Sequence, residues 1–389
     1  MARKIVVIGG GIVGSSIAAL LPDDVSVTVL DRGPVGRLAG STGLAPGFVG
    51  LLNEIPVLTE LARASAELYD DLELDGTRGF ERVGGVEVAG SPEAAEKLTK
   101  RAELAAAAGL PHRLLDAAET VALAPDLINP EHCHRGLHFT ADGAARPDIL
   151  TAALRKRSNA RFVHDATVIG IELSGNRAAA VRTETDTYPA DDVVLAGGIW
   201  GPQLAAMVDV QLPLTSFAHP YVYGPETASA PAAPFVRWPE HQVYTRHHGG
   251  RLGLGTYNHA IQPVPQDDLG ASAEKPWPGE VFDEAVHRAM RLLPTPFNPA
   301  ERLNGMFAVT PDNLPFLGPI PNIEGLWSAV AIWVTSAGGA ARALVDQLLD
   351  KDPRFPDLHT LAPTRFEGQD PEALRTRARH LYNDIYASL

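Results

Sequence analysis

The sequence predicts a mixed α/β (α+β) chain, in which a nucleotide-binding domain on a parallel sheet is joined to a second domain on an antiparallel sheet. Three observations predict it. The first thirty-one residues read as strand, glycine-rich turn, helix and strand; helical and strand periods then alternate along the chain; and a second glycine-bearing turn leads into a helix near the end.

The opening unit carries the strongest signal. An apolar run, Ile5-Val-Val-Ile8, meets Gly9, Gly11 and Gly14 within a small-residue stretch that predicts a helix over 12–21, and a strand over Ser26–Leu30 then closes at Asp31. A strand turning sharply into a helix aims the helix's unpaired N–H groups and positive dipole end at a pyrophosphate. Gly9 permits the turn, Gly11 lets the backbone approach the diphosphate, and Gly14 lets the helix pack closely on the strand. Asp31, at about the 20-residue interval expected, supplies a carboxylate for ribose hydroxyls. The unit is therefore predicted to bind a dinucleotide through Gly9, Gly11, Ile12, Val13, Gly14, Asp31 and Arg32. Arg3 and Lys4 ahead of an apolar stretch also fit a secretory leader, but the glycines would weaken an inserted helix and no small-residue cleavage site stands out. The single cysteine, Cys133, cannot form an internal disulfide, and a cytoplasmic protein is the expectation.

At 389 residues with 45% hydrophobic content, the chain is long enough for two domains around a large core. A formal charge of −14 without a basic patch argues against nucleic acid or an anionic membrane as a partner. No later segment approaches membrane-spanning length. The 36 glycines and 32 prolines fall in bursts that mark loops rather than one low-complexity tract, and no internal repeat is visible. The densest bursts, 225–239 and 262–278, read as excursions flanking a hairpin.

Further along, apolar spacing predicts helices over 57–72 and 94–108, with a strand over 84–89 between them. Short strands over 161–164, 168–173 and 178–183 form a small meander feeding a buried strand at 192–198. Gly197 and Gly198 end that strand ahead of Trp200 and a helix over 203–207, which suggests a second close approach to the cofactor; a simple strand-to-helix corner is the alternative. The pattern over 243–257 is a hairpin turning at His247-His248-Gly249-Gly250, with Tyr244 and Arg246 on one face. The last block predicts a strand over 326–332, a turn over 333–339 and a helix over 340–349.

These paired glycine turns accompany a series of motifs: GSTGLAPG at 40–47, AHPY at 218–221, GLGTY at 253–257, NGMF at 304–307, TPD at 310–312 and WVT at 333–335. In this order they resemble the D-amino acid oxidase and sarcosine oxidase superfamily of glutathione-reductase-type flavoproteins, and within it the flavin half of the dimethylglycine oxidases. The resemblance implies FAD rather than a nicotinamide. It also implies oxidation of the C–N bond of a secondary or tertiary amine, an N-methyl or N-substituted amino acid, by hydride transfer to flavin N5, giving an imine that water hydrolyses. On this reading residues 1–80, 136–210 and 304–389 form the FAD-binding domain, and 81–135 and 211–303 the substrate domain.

The resemblance places Gly40, Ser41, Thr42, Leu44 and Ala45 in a loop against the flavin and phosphates, a Gly-Ser-Thr turn with structural uses being the alternative. Val168 is the candidate for a backbone contact to adenine, Gly197 and Trp200 belong to the second approach, and the resemblance places Trp333, Val334 and Thr335 at the pyrimidine edge. There the helix after Gly338 and Gly339 would direct its positive end at the ring, with Thr335 and Ser336 as caps. Where relatives carry a histidine bonded covalently to the flavin, this chain has Leu44, so FAD is expected to be held non-covalently. The folate-binding half of the dimethylglycine oxidases is not expected, so a removed one-carbon unit would leave as formaldehyde or pass to a separate protein. His219 and Tyr244 correspond to active-site residues, with a near-neutral imidazole suited to managing the amine's proton. Tyr257 and Arg246 are placed with the substrate, Arg246 as a bidentate partner for a carboxylate. A structural histidine, a core tyrosine and a solvated arginine are the alternative readings at positions 219, 244 and 246. His247 and His248 read as turn residues, without the further ligands a metal site needs.

Competing functions stay open at this level: oxidation of an N–N or C–N bond of an unusual biosynthetic metabolite, oxidation of a 2-hydroxy acid, or service as the flavin-bearing subunit of a multi-chain complex. The electron acceptor, oxygen or a carrier protein, is likewise open.

Overall fold

A computed structural model of the chain describes residues 2–228, 232–352, 354–383 and 385. Two large sheets organise it. The first is six-stranded, in the order Arg161–Val163, Ser26–Leu30, Lys4–Ile8, Asp192–Leu195, Leu326–Val330 and Phe316–Pro319. Its first five strands run parallel and the last is antiparallel. Such strands are covered on both faces and so read as continuous apolar runs: Ile5, Val6, Val7 and Ile8 are all buried, their side chains divided between two core clusters.

The helix Ile12–Leu20 follows the first strand directly. Gly9 has φ +115°, and a Cβ there would run into the Ala196 carbonyl oxygen; a Cβ on Gly14 would run into the Gly9 carbonyl oxygen. The helix can therefore leave the strand only with glycine at both positions. The expected meander is present as Val168–Ser174, Arg177–Thr183 and Thr187–Pro189.

The second large sheet has nine strands. It is antiparallel except where Phe235–Trp238 pairs parallel to Gly85–Ala89. At its centre lie Thr215–Tyr223, Arg251–Thr256, Val243–His248, Phe235–Trp238 and Gly85–Ala89, with Glu301–Val309 alongside the first of these. The two-residue period sorts side chains by face. Val86, Val222, Val236, Trp238, Val243 and Leu254 pack on one side with the helix Glu280–Ala289, which contributes Val286 and Ala289. Glu87, His219, Tyr221, Arg237 and Tyr244 occupy alternate positions on the other side.

Several elements depart from the sequence reading. Phe235–Trp238 lies inside the 225–239 burst read as an excursion, yet Phe235, Val236 and Trp238 are buried sheet residues. The hairpin strand continues through His248, so the turn is Gly249-Gly250 alone. Glu301–Val309 is one continuous strand of the nine-stranded sheet and crosses the boundary expected at 304. A helix at Pro371–Asn383 was not anticipated; its Ala378 and Tyr382 pack against Phe217 and Val309. Among the described residues no helix is long and apolar enough to cross a membrane, and no three His, Cys, Asp or Glu side chains gather as a metal site would need.

Candidate active site

One elongated cavity runs between the two sheets. At one end its wall contains Gly9, Gly11, Ile12, Val13, Asp31 and Arg32. Val168, Gly197 and Trp200 also line it, Trp200 under Arg32 and Gly197 beside Gly9, as do Gly40, Ser41, Thr42, Leu44, Ala45, Trp333, Val334 and Thr335. At the other end His219, Tyr244 and Tyr257 meet. Residues far apart in sequence thus share one cavity, and among the expected site residues only Gly14 and Arg246 do not line it.

Asp31 is fixed before any ligand arrives. Its carboxylate accepts from the amides of Gly10 (2.6 Å) and Gly33 (2.7 Å), which leaves further lone pairs for hydroxyl donors. Arg155, absent from the sequence reading, donates to the Gly10 carbonyl at 2.5 Å and so braces the same turn. Arg32 lies over the Trp200 ring at 4.8 Å, and burial lowers its pKa, offset in part by Asp31. The short 3-10 turn Ser41–Leu44 is tied to the opening helix, because Thr42 Oγ1 accepts from the Ile12 amide at 3.2 Å. Ser41 Oγ is buried in the cavity wall with no hydrogen-bond partner among the described residues. A buried hydroxyl without a partner is costly, so this one is suited to a polar ligand. A glycine cradle at a helix N-terminus, a carboxylate beyond it and an orphaned hydroxyl between them fit a flavin dinucleotide.

The C-terminal turn is organised differently from the sequence reading. The helix begins at Ala337, so Gly338 and Gly339 lie inside its first turn. Their amides donate to Tyr69 Oη (3.2 Å) and Ser65 Oγ (2.8 Å) on the helix Pro56–Tyr69. A Cβ on Gly339 would strike the Leu61 carbonyl oxygen. The glycine pair therefore lets two helices touch, and these two amides face a neighbouring helix rather than the cavity. Thr335 does not cap either: its hydroxyl donates to the Phe48 carbonyl at 2.9 Å. Ser336 occupies the N-cap position without a side-chain capping bond.

At the aromatic end, His219 is buried at 7% exposure, with Nε2 2.7 Å from Tyr244 Oη and Nδ1 2.9 Å from Tyr382 Oη. Burial, reinforced by the nearby His259, drives the pKa of His219 well below the ordinary histidine value. At neutral pH it is a neutral ring. Tyr257 packs on it at 4.2 Å between centroids, and burial raises the pKa of the Tyr257 phenol. Glycines clear the space: a Cβ on Gly255 would overlap the Tyr244 ring, and one on Gly253 the Tyr221 hydroxyl.

Arg246 is buried below this wall. Its Nη1 donates to the carbonyls of Gly47 and Ala145, each at 2.9 Å, and its Nε to His247 O at 3.1 Å. It clamps a loop rather than facing the cavity. His248 is also more than a turn residue, since it shares a 2.8 Å hydrogen bond with Tyr221, and burial with the adjacent Arg246 and Arg251 pushes its pKa down to about 2.

Besides Arg32, the arginine lining the cavity is Arg237, paired with Tyr244 across neighbouring strands. Its Nη2 meets Glu87 Oε1 at 3.0 Å and its Nε is buried without a partner among the described residues. Glu87, 2% exposed, also takes two bonds from Arg101 at 2.7 and 3.0 Å. Nearby Asp142 is buried, accepts from the Leu51 amide at 2.9 Å, and is pushed up to about 7 by burial against the opposing pull of Arg237. Two arginines thus share the Glu87 side chain, beside an aspartate whose burial disfavours its charged form. With one glutamate between two guanidiniums and Arg237 Nε lacking a partner among the described residues, the cluster offers a place for an anion at the cavity wall.

Residues 4–347 match the sequence family described as FAD dependent oxidoreductase. The chain is 26% identical over 385 residues to mitochondrial dimethylglycine dehydrogenase of Homo sapiens, covering 93% of this chain and 44% of that protein. It is 26% identical over 401 residues to 4-methylaminobutanoate oxidase (formaldehyde-forming) of Paenarthrobacter nicotinovorans, covering 99% of this chain and 48% of that protein. It spans about half the length of these curated relatives. L-proline dehydrogenase from P. horikoshii shares the fold with a TM-score of 0.82 at 20% identity, over 94% of this chain and 98% of that one. Glycine oxidase from Geobacillus kaustophilus does so with a TM-score of 0.80 at 23% identity, over 94% and 100%.

Proposed function

This chain belongs to the FAD dependent oxidoreductase family, and from that premise we propose that it oxidises the C–N bond of a secondary or tertiary amine bearing a carboxylate, an N-methyl or N-substituted amino acid. The observation that carries the reading is the pairing, in one cavity, of His219 hydrogen-bonded to Tyr244 with Arg237, whose Nε has no partner among the described residues. A proton acceptor and an anion site at one wall suit a zwitterionic amino acid.

FAD, when bound, supplies the two-electron, hydride-accepting chemistry. The Gly9–Gly11 turn, Asp31 and the Ser41–Leu44 loop would hold the dinucleotide, and without a covalent bond, since Leu44 stands where a tether would. The chain's own residues do the rest. Arg237 holds the substrate carboxylate and fixes which carbon faces the acceptor. Tyr244 and His219 take the ammonium proton, leaving a nitrogen lone pair that can form the new C=N bond as the adjacent C–H gives up its hydride. Tyr257 and its aromatic neighbours exclude water until the imine forms, and water then hydrolyses it to the shortened amine and an aldehyde. Both curated relatives are named for N-methylated substrates, one as formaldehyde-forming, which supports this direction.

Anaerobic mixing of the FAD-loaded protein with sarcosine, dimethylglycine and a panel of N-alkyl amino acids is the test. Bleaching of the flavin absorbance by at least one is expected. If none bleaches it while a 2-hydroxy acid does, the amine reading is wrong.

A further inference from the structure

Four side chains from four separate segments form one unbroken hydrogen-bonded row. Tyr244 Oη lies 2.7 Å from His219 Nε2, His219 Nδ1 lies 2.9 Å from Tyr382 Oη, and Tyr382 Oη lies 2.8 Å from His259 Nε2. The row begins in the cavity wall and ends at the half-buried His259.

Its direction follows from its far end. His259 Nδ1 sits 2.9 Å from the Ala260 carbonyl, and a carbonyl only accepts, so Nδ1 carries the hydrogen. In a neutral ring Nε2 then accepts, and Tyr382 must donate to it. Tyr382 accordingly accepts from His219 Nδ1–H, and His219 Nε2 accepts from the Tyr244 hydroxyl. One backbone carbonyl thus points every hydrogen in the row away from the cavity.

We infer that Tyr382 and His259 complete a directional relay, which carries the proton leaving the substrate nitrogen from Tyr244 and His219 to the protein surface. The inference rests on the amine reading above. The step balances as a proton transfer with no electrons moved. The substrate N–H bond breaks toward Tyr244 Oη; the Tyr244 hydrogen passes to His219 Nε2, the His219 Nδ1 hydrogen to Tyr382 Oη, and the Tyr382 hydrogen to His259 Nε2. The amine is left neutral and His259 becomes an imidazolium that water deprotonates. Neither Tyr382 nor His259 lines the cavity, so both are positioning residues acting through the two that do.

The surroundings suit passage rather than storage. Among the described residues, the groups facing His259 are His219 on the sheet, Tyr382 on the C-terminal helix, and Phe282 and Arg288 on the helix Glu280–Ala289. Arg288 also donates to the Asn258 carbonyl at 2.9 Å, which keeps its positive charge beside the ring. Burial and that charge lower the pKa of His259 against the opposing Ala260 bond, so an imidazolium there sheds its proton readily.

The test uses the FAD-loaded protein and the amine of the panel that bleaches it fastest, compared among wild type, Tyr382→Phe and His259→Ala. Tyr382→Phe removes one oxygen and keeps the ring contacts to Phe217 and Phe307. In both variants the limiting bleaching rate is expected to fall by about tenfold or more with half-saturation unchanged, and added imidazole is expected to restore His259→Ala. Wild-type rates and pH profiles in both, with no response to imidazole, overturn the relay while leaving the amine reading intact. If no amine bleaches the wild type, the amine reading fails and takes the relay's proton source with it. Nitrogen-15 spectra of the histidine rings check the row itself: Nδ1–H tautomers are expected at His219 and His259, and an Nε2–H tautomer at His219 overturns the direction.

Discussion

On the proposed function, Arg237 is the residue on which substrate recognition turns. Its partner Glu87 keeps two bonds from Arg101 when Arg237 is shortened, so Arg237→Ala is expected to fold. Loss of a charged hydrogen-bonding partner, worth about 1.5–3 kcal/mol, should raise the half-saturation constant for a carboxylate-bearing amine roughly 10- to 100-fold and leave a carboxylate-free amine unaffected. Steady-state bleaching with the two amines checks it. Asp142 makes a stability prediction. Its folded pKa of about 7 lies above the unfolded value of 3.8, so the native state holds the extra proton between those limits and its stability falls as pH rises through that window. This group's share is at most about 4 kcal/mol. Asp142→Asn retains an acceptor for the Leu51 amide, and urea titrations should show that slope flattened. At this scale the sequence was unevenly legible. His219 and Tyr257 sit in motifs, Tyr244 in the predicted hairpin, and all three line the cavity. Arg237 was hidden because its four-residue strand lies between Pro234 and Pro239, where prolines speak for a loop. Alternation did place Tyr244 and Arg246 on one face, but a face is wider than a cavity, and Arg246 spends its donors on backbone carbonyls.

The contact between the helices Pro56–Tyr69 and Ala337–Leu348 fixes the Trp333–Ser336 turn in the cavity wall. Ser65 and Tyr69 hold the amides of Gly339 and Gly338, and Tyr69 also donates to the Val334 carbonyl at 2.9 Å. Gly339→Ala forces a methyl against the Leu61 carbonyl and is expected to destabilise the protein by about 1–3 kcal/mol and to weaken FAD binding with it. Urea unfolding and flavin titration measure the two effects; an unchanged protein would mean the helices separate freely. The existence of these helices was legible from apolar spacing. The role of the glycine pair was not, because small residues at a helix start serve either ligand approach or helix contact, and the partner carrying Ser65 and Tyr69 is remote in sequence. The same limit hid Pro371–Asn383, whose Tyr382 gains meaning only when packed beside His219.

Across the whole molecule, a parallel sheet ends its strands at a glycine cradle, and the polar face of a nine-stranded sheet lies opposite it. The opening fingerprint and the two-sheet plan were readable because each rests on local periodicity. The cavity between them was readable only through motifs, since pairing across sheets leaves no local pattern. With Leu44 packed over Gly305 in the wall, the flavin is expected to leave wholly with the supernatant on acid precipitation; a yellow pellet would reveal a covalent bond. Anaerobic titration of the FAD-loaded protein with N-methyl amino acids, followed at the flavin absorbance, probes sheet, cradle and aromatic wall at once. Bleaching by a carboxylate-bearing N-methyl amine is expected, with the matching amine that lacks the carboxylate far less effective. Flavin that stays oxidised across the whole panel contradicts it.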